Sequence, residues 1–243
     1  MENVTALLAS VIYVFGSLIV VVIFDNFSSR SKELSRKMLH ILTGNWILIS
    51  LMFTDILALA LLPTMLLGLN LLSLRFSLVK AMERDDDSWG TVFYPLSILV
   101  LALAAFILEK PAISVTGILI LAYGDGLAAL VGGKWGRWRP FKIAPKKSFI
   151  GTLTVAIAGL VITAGAILIF QGKTAPTAAF IIALNTALLA ALLELAGKKG
   201  SDNLTLPLGT GLFVGGSLCF FDWVAQAVFF GVLVIIWALV FRK

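Results

Sequence analysis

The sequence predicts an all-α fold, a polytopic transmembrane helical bundle of about nine spans, with seven or eight as the alternative counts. Three observations predict it. Hydrophobic residues make up 60% of the 243-residue chain and charged residues only 13%, about half the charged share of an ordinary soluble domain. The mean hydropathy is +1.03. The apolar residues also fall in runs near the ~20-residue length that the hydrocarbon core of a bilayer asks of a helix.

The first run, residues 5–24, follows a start with no basic segment and is long enough to span. It therefore reads as a retained helix, peripheral to the rest, and not as a cleaved signal peptide. Run 39–53 is short and is parted from run 55–73 only by Thr54 and Asp55, which is why the count of spans has a range. Runs 91–108 and 112–132 follow, the second carrying one acid, Asp125. Run 149–170 has Ser148 in place to cap its N-terminus, and run 177–196 ends just past Glu194. Run 206–220 is short and contains Pro207, and run 223–241 closes the series. No repeat, low-complexity tract or linker divides these runs, so the expectation is one membrane-embedded domain over 1–243.

Nine spans sort the cations cleanly. Every lysine and arginine except Lys110 and Lys173 then falls on one side, which the positive-inside rule makes cytoplasmic, with the N-terminus outside and the C-terminus inside. The same pattern accounts for the net charge of +6 without a nucleic-acid partner, because the basic residues sit in short loops between apolar runs. Cys219, the single cysteine, lies in an apolar run and forms neither an internal disulfide nor a cysteine metal cluster. The acidic run Glu83-Arg84-Asp85-Asp86-Asp87 reads as a solvated loop.

Chemistry gathers at a few places. In Gly124-Asp125-Gly126 and the following stretch to Gly132-Gly133-Lys134, one carboxylate sits within an apolar helix between glycines. A charge at membrane depth is costly and marks function, and glycines let a phosphate or metal approach the backbone. Helix packing explains the glycines as well, but leaves Asp125 without a reason. The stretch also matches G-x-G-x-x-A, yet a dinucleotide fingerprint needs a soluble βαβ unit, and Gly133-Lys134 lacks the Ser or Thr of a P-loop.

The loop from Lys134 to Ser148 is basic and leads into Lys146-Lys147-Ser148-Phe149-Ile150-Gly151-Thr152. Lysines beside the free N–H groups of a capped helix make an anion site, suited to a triphosphate. Anchoring to the membrane surface explains the charge but not the pattern. Glu194, Asp202 and Asn203 come next, and Asp125, Glu194 and Asp202 together offer the hard oxygen donors that Mg²⁺ prefers. The plainer reading of Asp202-Asn203 is a turn before a proline-containing helix. The sequon at Asn203 falls on the inferred cytosolic side, where it carries no meaning. Arg36 and His40 share a helical face with Lys37 between them, so a phosphate-binding cation and the chain's one histidine stand together. An interfacial anchor explains that histidine equally well.

Taken in order, R-K-M-L-H at 36–40, G-D-G-L-A-A-L-V-G-G-K-W-G at 124–136, K-K-S-F-I-G-T at 146–152 and E-x7-D-N-L-T-L-P-L at 194–208 resemble the CTP-dependent polyprenol kinases. That family includes phytol, farnesol and dolichol kinases and the fungal CTP-dependent diacylglycerol kinase, with a more distant likeness to phosphatidate cytidylyltransferases. The runs at 40–45 and 202–208 look most like phytol kinase.

The resemblance implies transfer of the γ-phosphate of CTP to the hydroxyl of a membrane-dissolved isoprenoid alcohol, with functional residues at Arg36, Lys37, Asp125 and Gly132. On the residues themselves, Mg²⁺ is expected on Asp125 with Asp202 or Glu194, and a nucleotide site, mainly within 122–208, that draws on Gly124, Gly126, Lys134, Lys146, Lys147, Ser148, Gly151, Thr152 and Asn203. Asp125, Asp202 and His40 are the candidates for the base. With no plant transit peptide, a prokaryotic plasma membrane is the expected location, the site facing the cytoplasm. A cytidylyltransferase would differ by releasing pyrophosphate. A transporter accommodates intramembrane acids too, but here no repeat is visible and the acids lie near helix ends.

Overall fold

A computed structural model describes residues 2–27, 32–76, 89–172, 174–197 and 200–241. The acidic run at 83–87 and the pair Lys198-Lys199 lie outside the described residues, as does the side chain of Arg36. Among the described residues the chain is helical: α1 (Glu2–Phe27), α2 (Lys32–Gly44), α3 (Trp46–Ile49) continuing into a 3-10 turn (Ser50–Met52), α4 (Ile56–Phe76) and α5 (Trp89–Ile107). Then come α6 (Ala112–Leu119), a π-helical segment (Ile120–Asp125), α7 (Gly126–Trp135), α8 (Phe149–Phe170), α9 (Pro176–Ala196), α10 (Asp202–Cys219) and α11 (Trp223–Val240).

Seven of these described helices are long and apolar enough to cross a membrane, with α6, the π segment and α7 counted as one rod over Ala112–Trp135. The protein is an integral membrane protein. The two short runs of the sequence become the α2–α3 segment and α10, and their ends show that both also traverse the bundle. Ser35 donates to Asp25 at 2.6 Å near the end of α1, while the Thr54 N–H donates to Asn3 at 2.9 Å near its start. Asn203, in the first turn of α10, donates to the Gly90 carbonyl at 2.9 Å, whereas Leu218 and Phe221 pack in a cluster with Ala112 and Phe170. Both segments are less apolar than a lipid-exposed span because protein covers them. In α10 Leu206, Pro207, Thr210, Gly211, Val214 and Gly215 are buried.

Small residues bring the helices close, the packing that replaces hydrophobic exclusion where the solvent is lipid. A Cβ on Gly117 would stand 2.6 Å from the Pro207 carbonyl oxygen, so α6 and α10 touch backbone to backbone. Between α8 and α9, a Cβ on Gly159 would lie 3.1 Å from the Ala187 Cα. Polar pairs fix the outer helix: Asn185 of α9 donates to the Gln226 side chain of α11 at 2.8 Å, and Gln226 donates to Ser217 of α10 at 2.9 Å. The helix α1 packs against α2 and α3, where Tyr13 donates to the Leu42 carbonyl at 2.8 Å.

The traverses alternate in direction, so their ends sort the polar residues. Lys37, Gly90, Asp125, the loop 136–148, Glu194 and Asp202 lie toward one end; Asn3, Thr54, Glu109 and Asp222 lie at the other.

Candidate functional site

Asp125 is the last residue of the π-helical segment, where the widened turn interrupts the rod between α6 and α7. Such segments occur often at functional sites. The side chain is buried, with the residue 9% exposed. Its Oδ2 accepts from the Lys37 ammonium in an ion pair between the middle of one rod and the amphipathic α2. The close fit has a local cause. Gly126 leaves room for Ile41, and Gly44 for Ala122, so α2 lies directly on the segment that carries the acid.

His40, one turn beyond Lys37, packs its ring against Tyr94 of α5, 4.2 Å between centroids and tilted by 38°. The Tyr94 hydroxyl donates to the His40 carbonyl at 2.8 Å, which ties α5 to the same stretch of α2.

A second ion pair lies beside the first. Lys147 meets Glu194 Oε1 at 2.7 Å and also donates to the Glu194 backbone carbonyl near the C-terminus of α9. A cation there is favoured by the exposed carbonyls of the helix end as well as by the carboxylate. Ser148 caps α8 as the sequence leads one to expect, accepting from the Gly151 N–H at 3.2 Å. Asp202, at the start of α10, lies against the end of α9, its Cβ 2.7 Å from where a Cβ on Gly197 would stand. Two lysines and three carboxylates thus lie toward one end of the bundle, as two ion pairs and Asp202, contributed by α2, the π segment, the loop before α8, α9 and α10.

The glycines turn out to set helix spacing. Beside Gly132 stand Ser148 Oγ and Gly151, and beside Gly136 stand the Gly132 carbonyl and Ser148, each 2.8 Å or nearer to where a Cβ would go, except Gly151 at 3.3 Å from Gly132. Gly136→Ala is expected to force α7 from the α8 cap, lowering the apparent melting temperature in detergent by several degrees. Gly133→Ala, which meets open space, should leave it unchanged. Gly124 makes only ordinary contact with Val155, and the Thr152 hydroxyl is buried without a protein partner.

The remaining sequence candidates take varied places. Asn203 joins α10 to α5, its amide on the Gly90 carbonyl and its own carbonyl accepting from Ser97 at 2.7 Å. Lys146 is exposed, and Lys134 lies 4.8 Å over the ring of exposed Trp135. Sequence reasoning missed Tyr94, and it gave Lys37 and Lys147 to phosphate without seeing the carboxylate each one holds. The need for a counterion at membrane depth was the available signal.

For a divalent cation the donor chemistry fits: Glu194 Oε2 is buried with no protein partner, and Asp125 and Asp202 add hard oxygens nearby. No group of three His, Cys, Asp or Glu among the described residues converges tightly enough to hold an ion unaided. Mg²⁺ commonly binds through one or two carboxylates and completes its shell with substrate phosphates.

Known proteins resemble this chain over most of its length. A phytol kinase of Synechocystis is 36% identical over 194 residues, covering 78% of this chain and 82% of that protein. A probable chloroplastic phytol kinase of Oryza sativa is 30% identical, covering 81% of this chain and 70% of the relative. A CTP-dependent diacylglycerol kinase of Schizosaccharomyces pombe is 35% identical over 79 residues, 32% of this chain. No family model and no solved structure matches.

Proposed function

The chain belongs to the phytol kinase family, and on that premise we propose that it is a CTP-dependent kinase of long-chain isoprenoid alcohols. It transfers the γ-phosphoryl group of CTP to the alcohol oxygen, giving the lipid monophosphate and CDP, with loss of the hydroxyl proton. Phytol, geranylgeraniol, farnesol and dolichol or polyprenol make up the substrate class. The observation that supports this reading beyond the likeness is the placement of the Lys37–Asp125 and Lys147–Glu194 pairs and of Asp202 toward one end of an apolar bundle.

Phosphoryl transfer asks for positioning and charge neutralisation. Lys147, Arg36 and the capped N-terminus of α8 bind the triphosphate, exposed Lys146 adds attraction from the loop surface, and Lys37 orients Asp125. Asp125, with Asp202 or Glu194, would hold Mg²⁺, which would neutralise charge on the phosphates. Asp125, Asp202 and His40 are the candidates to take the hydroxyl proton. The alcohol arrives laterally, its chain among the helices and its hydroxyl toward the polar end. That end faces the cytoplasm by the positive-inside rule, since Lys134, Arg137, Arg139, Lys142, Lys146 and Lys147 crowd it and Lys110 lies opposite. The N-terminus is then outside, and a prokaryotic plasma membrane is the proposed location.

The test is transfer of label from γ-labelled CTP, with ATP as comparison, to a panel of these alcohols and diacylglycerol by the purified protein. Label in an isoprenoid alcohol, with CTP preferred, is the expected result. Pyrophosphate release without labelled lipid would replace the kinase with a cytidylyltransferase.

A further inference from the structure

The loop that carries Lys147 is held from an unexpected direction, by the far end of the last helix. Phe141 pairs with Phe241 in an isolated antiparallel bridge, and the Lys142 N–H donates to the Val240 carbonyl at 2.9 Å. Phe141 is fully buried, its ring 5.4 Å from Phe241 and 6.0 Å from Trp237. Ala144 is buried in the same cluster with Leu195, Leu233 and Val240. From Ala144 the path to the ion pair is one turn, because the Lys147 N–H donates to the Ala144 carbonyl at 3.0 Å. The base of the loop is closed as well: the Phe149 N–H donates to the Trp138 carbonyl at 2.9 Å, and their rings lie 4.7 Å apart.

The helix α11 has few duties apart from this. Most of its surface faces outward, its main helical neighbour is α9, and Trp237 donates to the Leu188 carbonyl of α9 at 3.3 Å. The aromatic end of α11 therefore connects the body of α9 to the loop, and Glu194, the partner of Lys147, stands on that same helix. Both ends of the Lys147–Glu194 pair are referenced to one packed unit.

We infer that Phe241 and Trp237 are positioning residues for CTP, acting through Phe141 and Ala144 to hold Lys147 at the height where it meets the nucleotide phosphates. The inference rests on the reading of Lys147 as a triphosphate ligand. Without the aromatic clamp the loop samples positions in which Lys147 must be brought back before CTP binds, a cost that falls on nucleotide affinity and not on the alcohol.

The test uses the full chain in detergent or nanodiscs with Phe241→Ala, Phe241→Leu and the parent. Two measurements are made: steady-state kinetics with CTP and alcohol varied in turn, and the rate of tryptic cleavage after Arg137, Lys142 or Lys146, which are exposed. Phe241→Ala should raise KM for CTP about fivefold, the scale set by losing an aromatic contact. KM for the alcohol should stay unchanged, nicking of the loop should accelerate, and Phe241→Leu should recover most of both effects. The cleavage assay needs no nucleotide, so it reports on the clamp even if the parent transfers no phosphate from CTP, a result that would sink the kinase reading separately. Unchanged nicking overturns the clamp. Faster nicking with an unchanged KM for CTP overturns the positioning role.

Discussion

Asp125→Asn lowers turnover by about 10³-fold, the scale on which one preorganised electrostatic group acts in a transition state. The change keeps the size and polarity of the side chain and removes its charge. It also strips Lys37 of its carboxylate, and breaking a buried ion pair from one side costs about 3–5 kcal/mol because the remaining charge is uncompensated. Loss of activity alone would thus confuse a chemical role with a folding defect. Adding Lys37→Met resolves the two, since the double variant has no orphaned charge at that depth. Its thermal stability should return toward that of the parent while its turnover stays near that of Asp125→Asn. Labelled-CTP transfer and a melting curve on both variants supply the comparison. Turnover above a tenth of the parent in either variant would remove Asp125 from the chemistry.

What the sequence made legible was the part governed by composition and short spacing. Apolar length gave the helices, and the alternation of basic loops gave one polar end, because both are local properties that the bilayer selects directly. The Ser148 cap was readable for the same reason, three residues from the N–H it accepts. The pairings were not. Lys37 and Asp125 are 88 positions apart and Lys147 and the Glu194 carbonyl 47, and nothing in either neighbourhood names the partner.

The glycines show a subtler limit. The sequence reading opened the backbone at Gly126 and Gly132 to a phosphate, yet in the structure Ile41 fills the space beside one and Ser148 the space beside the other. Both demands select the same residue, a side chain reduced to hydrogen, so identity alone cannot separate ligand approach from helix approach. The π turn before Gly126 was equally hidden: no residue type in Ile120–Asp125 announces it, and α2 lies against it through Ala122 and Gly126. His40 illustrates the reverse case: its type was noticed, but only the fold shows that its ring packs against Tyr94, one turn from the Lys37 that holds Asp125.

Lys147→Ala should raise KM for CTP at least about tenfold, as expected when a charge-assisted contact of ~1.5–3 kcal/mol is lost. Lys146→Ala serves as its control. The two lysines are adjacent and equally charged, so a diffuse basic field would treat them alike. The structure does not. Lys146 is exposed, whereas the Lys147 side chain is 29% exposed and is held by both the carboxylate and the backbone carbonyl of Glu194. A held cation meets the phosphates without first losing the rotamer freedom that a loose lysine must give up, roughly 2 kcal/mol when fully frozen. Salt separates the two roles further, because screening acts on exposed charges over about 10 Å at 0.1 M and far less on partly buried pairs. The Lys146→Ala effect should be small and vanish between 50 and 500 mM salt, on the same screening scale of about 10 Å at 0.1 M. The Lys147→Ala effect should persist across that range, and Lys147→Arg, which keeps the charge but not the geometry, should fall between. Equal salt-sensitive losses at both positions would mean that the loop attracts CTP as a surface and that the Glu194 pair plays no part in binding it.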